Sequence, residues 1–485
     1  MPPTAGGGQP RWLQCGFLSG DEDALILAPC HGHVRFSAPC GSHAHDVGVS
    51  VPPEQARVVH GGGWGFAVGS DHLGDVYVWG RCQDYFSASP LENDGGGGGS
   101  EGRVEGSADA TPSDTLNVLT RGASGTPKTT TTTTTTTTPI AAAGWAHVAV
   151  AGESHDVRCF GWNGRGQAPS RIAVGSRVDV LSLAAGEHHT LAACRDGRVW
   201  AWGDNSCGQL GTGRRQRGGG SDALEGTIAV AAEVPLPAPS VQGTPGFARF
   251  VAAGARHSVV VDHVGVVYTF GWGLYGQCGH DDAEDVYVPT ACRHLLGIPC
   301  RTAAAGSAHT AVVTHDGGLY LFGSNRFGEL GCDGGAGTDD EEDEDARARY
   351  EVGGTSGTPL LIGFPCGRGD EGDSGGGKRV RKRSERASAS PRVLEVSCGS
   401  RHTAAIVETD GSRGRLFTWG WNAHGQLGVG DRVDRATPTP VSVQGSSTDG
   451  VYTAGDVDRV SCGWWHTTVR LVESPPHTSK MPVSG

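Results

Sequence analysis

The chain has 485 residues, of which 80 are glycine and 37% hydrophobic, and a formal net charge of −13. A chain of that length would ordinarily predict about three domains of roughly 150 residues, and the negative charge excludes a protein that coats a phosphate backbone, which needs a basic face. No apolar run approaches the roughly 20 residues of a membrane span. The fourteen cysteines follow a start, MPPTAGGGQPRW, without a signal peptide, and they read as reduced core residues of a cytosolic or nuclear protein.

In chain order, RWLQCGFLSG from Arg11 predicts a strand with an aromatic, apolar, Cys-Gly pattern and no partner half before it. CHGHVRFSAPCGSHAH then sets Cys30, His33, Cys40 and His43 as two C-x2-H pairs, ligand types that a tetrahedral zinc site accepts. The six-residue gap between the pairs is short for a zinc module, and a loop is the simpler reading. GGWGFAV at Gly62 is a degenerate copy of a unit that becomes regular further on. Residues 87–139, with ten consecutive threonines from Thr129 to Thr138, have a composition that cannot bury a core and are expected to be disordered.

The regular unit follows at Gly144, Gly186, Gly254, Gly306 and Gly399. Its opening glycine and the glycine of a Trp-Gly or Phe-Gly pair lie 17 residues apart, at Gly144 and Gly161, Gly186 and Gly203, Gly254 and Gly271, and Gly306 and Gly323. From Gly399 to Gly420 the gap grows to 21, because DGSRGR lengthens a turn. Within each unit two short apolar runs flank Asp-Gly or Gly-Gly, which predicts an antiparallel strand pair. The glycines permit positive φ or close backbone approach. Aromatic residues such as Trp202 and Trp419 are expected to bury against a neighbouring unit. The histidines three residues after the opening glycine (His147, His189, His257, His309, His402 and His466) are expected to bond backbone near a strand start. One per unit, they are too far apart to share a ligand.

With Gly62 and Gly463 the opening glycines number seven. The last copy, SCGWWHTTVRL, has no Trp-Gly strand after it, so the two chain ends are expected to complete one blade of a closed ring. The combination G-x-x-H-T, W-G or F-G, then N-x-x-G-Q-L-G, complete from Gly186 to Gly211 and from Gly399 to Gly428, resembles the regulator of chromosome condensation repeat family of seven-bladed β-propellers. The expected fold is all-β: a single propeller over residues 11–472, closed by joining the N-terminal strand to the C-terminal half blade, with long disordered inter-blade insertions.

Besides residues 87–139, the insertions are a Gly/Pro-rich loop at 213–248 and an acidic-then-basic stretch at 333–390, and a disordered tail is expected at 473–485. The basic run Lys378, Arg379, Arg381, Lys382 and Arg383 reads as a nuclear localisation signal, against the plainer reading of a solvated loop whose acidic and basic halves neutralise each other. GDSGG at 372–376 copies a serine-protease motif, but it lies in a charged Gly-rich loop without a histidine context. GWGLYG at 271–276 fits G-x-G-x-x-G only because the repeat does. GWWHT at 463–467 is similar to the G-W-R-H-T units of a plant ultraviolet-B photoreceptor of the same family, where tryptophans of adjacent blades form a light-absorbing, Arg-rich dimer face. Here Trp145 and Trp464 stand in two separated blades, with Glu187, Ala255, Ser307 and Ser400 elsewhere, so no such cluster is expected.

Function is therefore expected at a surface. The first reading is a monomeric, non-catalytic scaffold for protein partners, small GTPase or chromatin-associated protein among them, with no cofactor, no direct nucleic acid and no membrane. The alternative implied by the resemblance is a guanine-nucleotide exchange factor for a Ran-type GTPase, although its wedge has no residues that match here. A catalytic domain such as a ubiquitin ligase's is not expected, because no segment outside the ring in this sequence is long enough to form one.

Overall fold

The repeat folds as its alternation dictates. HTLAAC (His189–Cys194) and VWAWGD (Val199–Asp204) pair antiparallel across a turn in which Gly197 takes φ +86°. A computed structural model describes residues 11–16, 24–29, 58–63, 66–70, 76–80, 117–120, 140–151, 156–169, 171–174, 179–213, 227–237, 246–332, 354–365, 390–409, 412–441, 446–447, 450–451 and 457–471. These form seven four-stranded antiparallel sheets and one two-stranded hairpin. The sheets are the blades of a propeller, numbered here I (from Val58), II (from Ile140), III (from Val180), IV (from Ala248), V (from Cys300), VI (from Arg392) and VII (from Val457).

Blade VII is made from both ends of the chain. Its inner strands, Val457–Cys462 and His466–Leu471, are continued by Arg11–Gly16 and Ala24–Pro29, and the joining register runs unbroken from Arg11↔Leu471 to Gly16↔His466. This closure removes the exposed edges that an open ring would present.

One expectation needs correction. The stretches 87–139, 213–248 and 333–390 are not wholly loop, since each contains the outermost strand of its blade: Asn117–Thr120, Thr227–Val234 and Thr355–Leu361. The physical reason is that an outer strand packs weakly on one side, so its sequence (TSGTPLL in blade V) lacks the apolar alternation of an inner strand.

The core lies in the seams between blades. Six buried clusters each join two neighbours; Leu191, Val199 and Leu210 of blade III, for example, pack with Val251, Val260 and Phe270 of blade IV. Each blade thus depends on the next, as in other quasi-one-dimensional repeats.

Candidate interaction face

The same cross-strand pair organises every blade. His147 faces Gly161, and the pattern repeats as His189–Gly203, His257–Gly271, His309–Gly323, His402–Gly420 and His466–Gly16. In blade I the pair is Phe66–Gly80. Gly203 takes φ +108°, and a Cβ there would lie 2.4 Å from the His188 carbonyl oxygen. That conformation turns the next amide back, so Asp204 N–H donates to His188 O at 2.8 Å. The opening glycines serve close approach instead: a Cβ on Gly144 would lie 2.5 Å from both Gly186 O and His147 Cε1.

Five of the six histidines bond across the seams rather than to local backbone, which corrects the expectation above. His147 Nε2 meets Thr190 Oγ1 of the next blade at 2.9 Å, and the relation repeats as His189–Ser258, His257–Thr310, His309–Thr403 and His402–Thr467 at 2.9–3.0 Å. Each of those hydroxyls donates to a backbone carbonyl of the preceding blade, at Gln167, Gln209, Gln277, Glu329 and Gln426. A hydroxyl has one proton, so it accepts from the imidazole, which fixes the Nε2–H tautomer. Burial holds His147, His257 and His402 down at about 3 and His189, His309 and His466 at about 4, so all six are neutral at physiological pH. Trp202 and Trp419, both fully buried, donate their indole N–H to the Gln167 and Glu329 carbonyls of the blade before.

Around the axis runs a ring of backbone bonds, one per seam. Gly63 N–H donates to Gly144 O, Trp145 to Gly186, Glu187 to Ala255, Ala255 to Gly306, Ser307 to Ser400, Ser400 to Trp464, and Trp464 to Gly62, at 2.9–3.2 Å. Inside this ring is a cavity of about 80 Å³ lined by Gly186, Gly254, Gly306, Gly399, Gly463 and Trp464 among others. Small-molecule sites run to roughly 300–1,000 Å³, so this space holds no substrate of ordinary size.

The side chains that follow the opening glycines form a face around the axis. The rings of Trp145 and Trp464 lie 6.3 Å apart, and Trp145 also makes edge contacts with Trp162 at 6.4 Å and His188 at 5.5 Å. The expectation that Trp145 and Trp464 stay apart was therefore wrong. Blade I, between them, contributes Gly62 and Gly63, which carry no side chain, at the axis. Across the axis, Trp421 lies 6.0 Å from Phe327 and 5.2 Å from His424, which stacks on Trp465 at 5.7 Å. Charge is divided over this face. Arg256 meets Glu187 at 3.4 Å and Arg165 meets Asp204 at 3.8 Å in blades II–IV, whereas in blades V and VI Arg326 and Arg401 lie over Phe327.

Cys30, His33, Cys40, His43 and the basic run Lys378, Arg379, Arg381, Lys382 and Arg383 lie outside the described residues, as does Ser374 of GDSGG. Among the described residues no group of three His, Cys, Asp or Glu is placed to hold a metal. Sequence reasoning missed the hydroxyl partners Thr190, Ser258, Thr310, Thr403 and Thr467, although the signal was the residue directly after each histidine.

These features define a closed seven-bladed β-propeller built from interlocking G-x-x-H-T repeats with an aromatic face about its axis. The RCC1-like domain model matches residues 167–469, more than half of the chain, and the protein belongs to that family. The chain is 30% identical over 319 residues to the ultraviolet-B receptor UVR8 of Arabidopsis thaliana, covering 63% of this chain and 59% of that protein. To the probable E3 ubiquitin-protein ligase HERC4 of Homo sapiens it is 27% identical, covering 57% of this chain and 20% of that protein. It thus spans less than two thirds of either relative. The fold is shared with human WBSCR16 (TM-score 0.60, 19% identity, 96% of this chain and 100% of that one) and with Prp20p of Saccharomyces cerevisiae (0.61, 17%, 96% and 92%).

Proposed function

We propose that the ring is a non-catalytic platform that grips a protein partner on its aromatic face. The observation that carries this reading is the concentration of Trp145, Trp464, Phe327, Trp421 and Trp465 with exposed arginines about an axis whose cavity is too small for a substrate. Aromatic residues and arginine are the residue types enriched at protein interfaces. The Prp20p structure is described with its binding to Gsp1p and histones, which supports a protein partner for this chain as well. The test is affinity capture with the tagged full chain beside a Trp145→Ala, Trp421→Ala, Trp465→Ala variant of matched melting temperature. Partners held by the former should be lost from the latter; an unchanged set would remove the face from the proposal.

A second reading, exchange-factor activity toward a Ran-type GTPase, is favoured by the same Prp20p likeness. Release of fluorescent GDP from Ran decides it: acceleration by this chain would replace the platform with an exchange factor, and an unchanged rate would discard exchange. We further place the protein in the nucleus as well as the cytoplasm on the strength of the run Lys378–Arg383. Neutral residues there should deplete a tagged chain from nuclei, and undiminished nuclear accumulation would refute that role.

A further inference from the structure

We propose that the ring-supported arginines of blades V and VI, Arg326 and Arg401, form a docking site for a carboxylate-rich segment of a partner protein. This rests on the platform reading and names the chemistry that the platform grips. Arg326 lies with its guanidinium carbon 5.5 Å from the Phe327 ring centroid, and Arg401 lies 5.0 Å from the same ring and 5.5 Å from Trp421. A guanidinium held near a ring by cation–π attraction consumes no carboxylate or carbonyl acceptor, so its N–H donors keep the fork that matches a carboxylate.

The arginines on the other side of the face are already paired. Arg256 also lies over an aromatic ring, Trp272 at 6.0 Å, but Glu187 already neutralises it at 3.4 Å. Arg165 likewise has Asp204. Arg326 and Arg401 are exposed, and among the described residues neither has a carboxylate within ion-pair distance. The acidic side chain that senses Arg401 is Glu329, which is 2% exposed; its oxygens accept from the Ser324 hydroxyl at 2.9 Å and the Phe327 amide at 2.6 Å. Burial raises its pKa, which makes it a weak counterion. The two cations therefore stand preorganised and uncompensated. Trp421, His424 and Trp465 extend the aromatic floor toward blade VII for the apolar parts of the same ligand. A nucleic acid suits the site less well, because Glu187 and Asp204 share the face and the chain carries −13 overall.

The test is fluorescence anisotropy of the full chain with a short fluorescein-labelled peptide of alternating Asp and Glu, beside its Asn/Gln counterpart and an oligothymidylate. The acidic peptide should bind and weaken with salt. An Arg326→Ala, Arg401→Ala variant should lose about tenfold or more in affinity, Arg401→Lys should lose several-fold because it keeps charge but not the fork, and Arg256→Ala should stay within about twofold. Melting temperatures matched to the parent chain exclude misfolding. No binding of the acidic peptide, an equal loss in Arg256→Ala, or preference for the oligothymidylate would overturn the assignment. A variant lacking the acidic run at residues 339–345 separates a partner from the chain itself: peptide bound only after that deletion would show the site filled in cis and would also overturn it. Should the acidic peptide fail while face-dependent capture persists, the platform stands and this assignment alone falls.

Discussion

The seam between blades VI and VII and the seam between VII and I are built on the same backbone and locked differently. Both carry a bond of the axial ring, Ser400 to Trp464 in one and Trp464 to Gly62 in the other. In the first, His402 Nε2 meets Thr467 at 3.0 Å; in the second, blade I carries Ala67 at the position of the hydroxyl, and among the described residues neither ring nitrogen of His466 has a hydrogen-bond partner. Blade I also offers Phe66 in the histidine position, in one buried cluster with Val148 of blade II. Five of the seven seams thus carry the imidazole–hydroxyl lock, whereas all seven carry the backbone bond. Closure is a property of the main chain, and the side-chain lock is an addition that two seams do without.

The largest test of this contrast is acid. An unfolded imidazole titrates near 6.5, while the six buried ones are held at about 3 to 4. The unfolded chain binds more protons between those values, so stability is full above pH 6.5 and falls as the pH drops toward 4, by about 1.4 kcal/mol per pH unit for each imidazole. Denaturant midpoints should show that steep loss, and flat stability across the window would mean that the imidazoles are not held neutral. Next is Gly203→Val, which combines φ +108° with a 2.4 Å clash and should cost about 3 kcal/mol by chemical denaturation; an unchanged midpoint would refute the strained turn.

A sharper pair is His402→Phe against His466→Phe. The first breaks a buried bond and should cost about 1–3 kcal/mol. The second removes a ring with no bond to lose, in a position where Phe66 shows that a phenyl group fits, and should be close to neutral. Equal costs would erase the distinction between the two seams. The smallest effect is a gain: Ala67→Ser supplies the missing hydroxyl, as Ser258 does for His189, and should add about 1 kcal/mol. A lower melting temperature would show that blade I has no room for it.

The ring was legible because its glycines answer to local backbone needs, so the 17-residue spacing survives in the linear text. The joining of the two ends was legible for the same reason, each end being half a unit. What escaped depends on neighbours far along the chain. The imidazole partners are 43 to 94 residues away, and the hydroxyl after each histidine announces a partner only once the blades are known to be adjacent, as Thr403 is for His309. The meeting of Trp145 and Trp464 was hidden because distance along a ring says little about distance across its axis. The outer strands escaped because an edge strand need not alternate. The zinc-type residues Cys30, His33, Cys40 and His43 lie outside the described residues and test neither reading.

The pairing of Arg11–Gly16 with residues 466–471 has a consequence for biosynthesis. At roughly 5–20 residues per second, a ribosome needs about 20 to 90 seconds to deliver the partner strand. For all of that time one edge of Arg11–Gly16, whose other edge pairs with Ala24–Pro29, is open and sticky, while blades I to VI can already stack upon one another. The strand His466–Leu471 acts as a clasp, and until it emerges the demand on chaperones falls on the hairpin of Arg11–Gly16 with Ala24–Pro29.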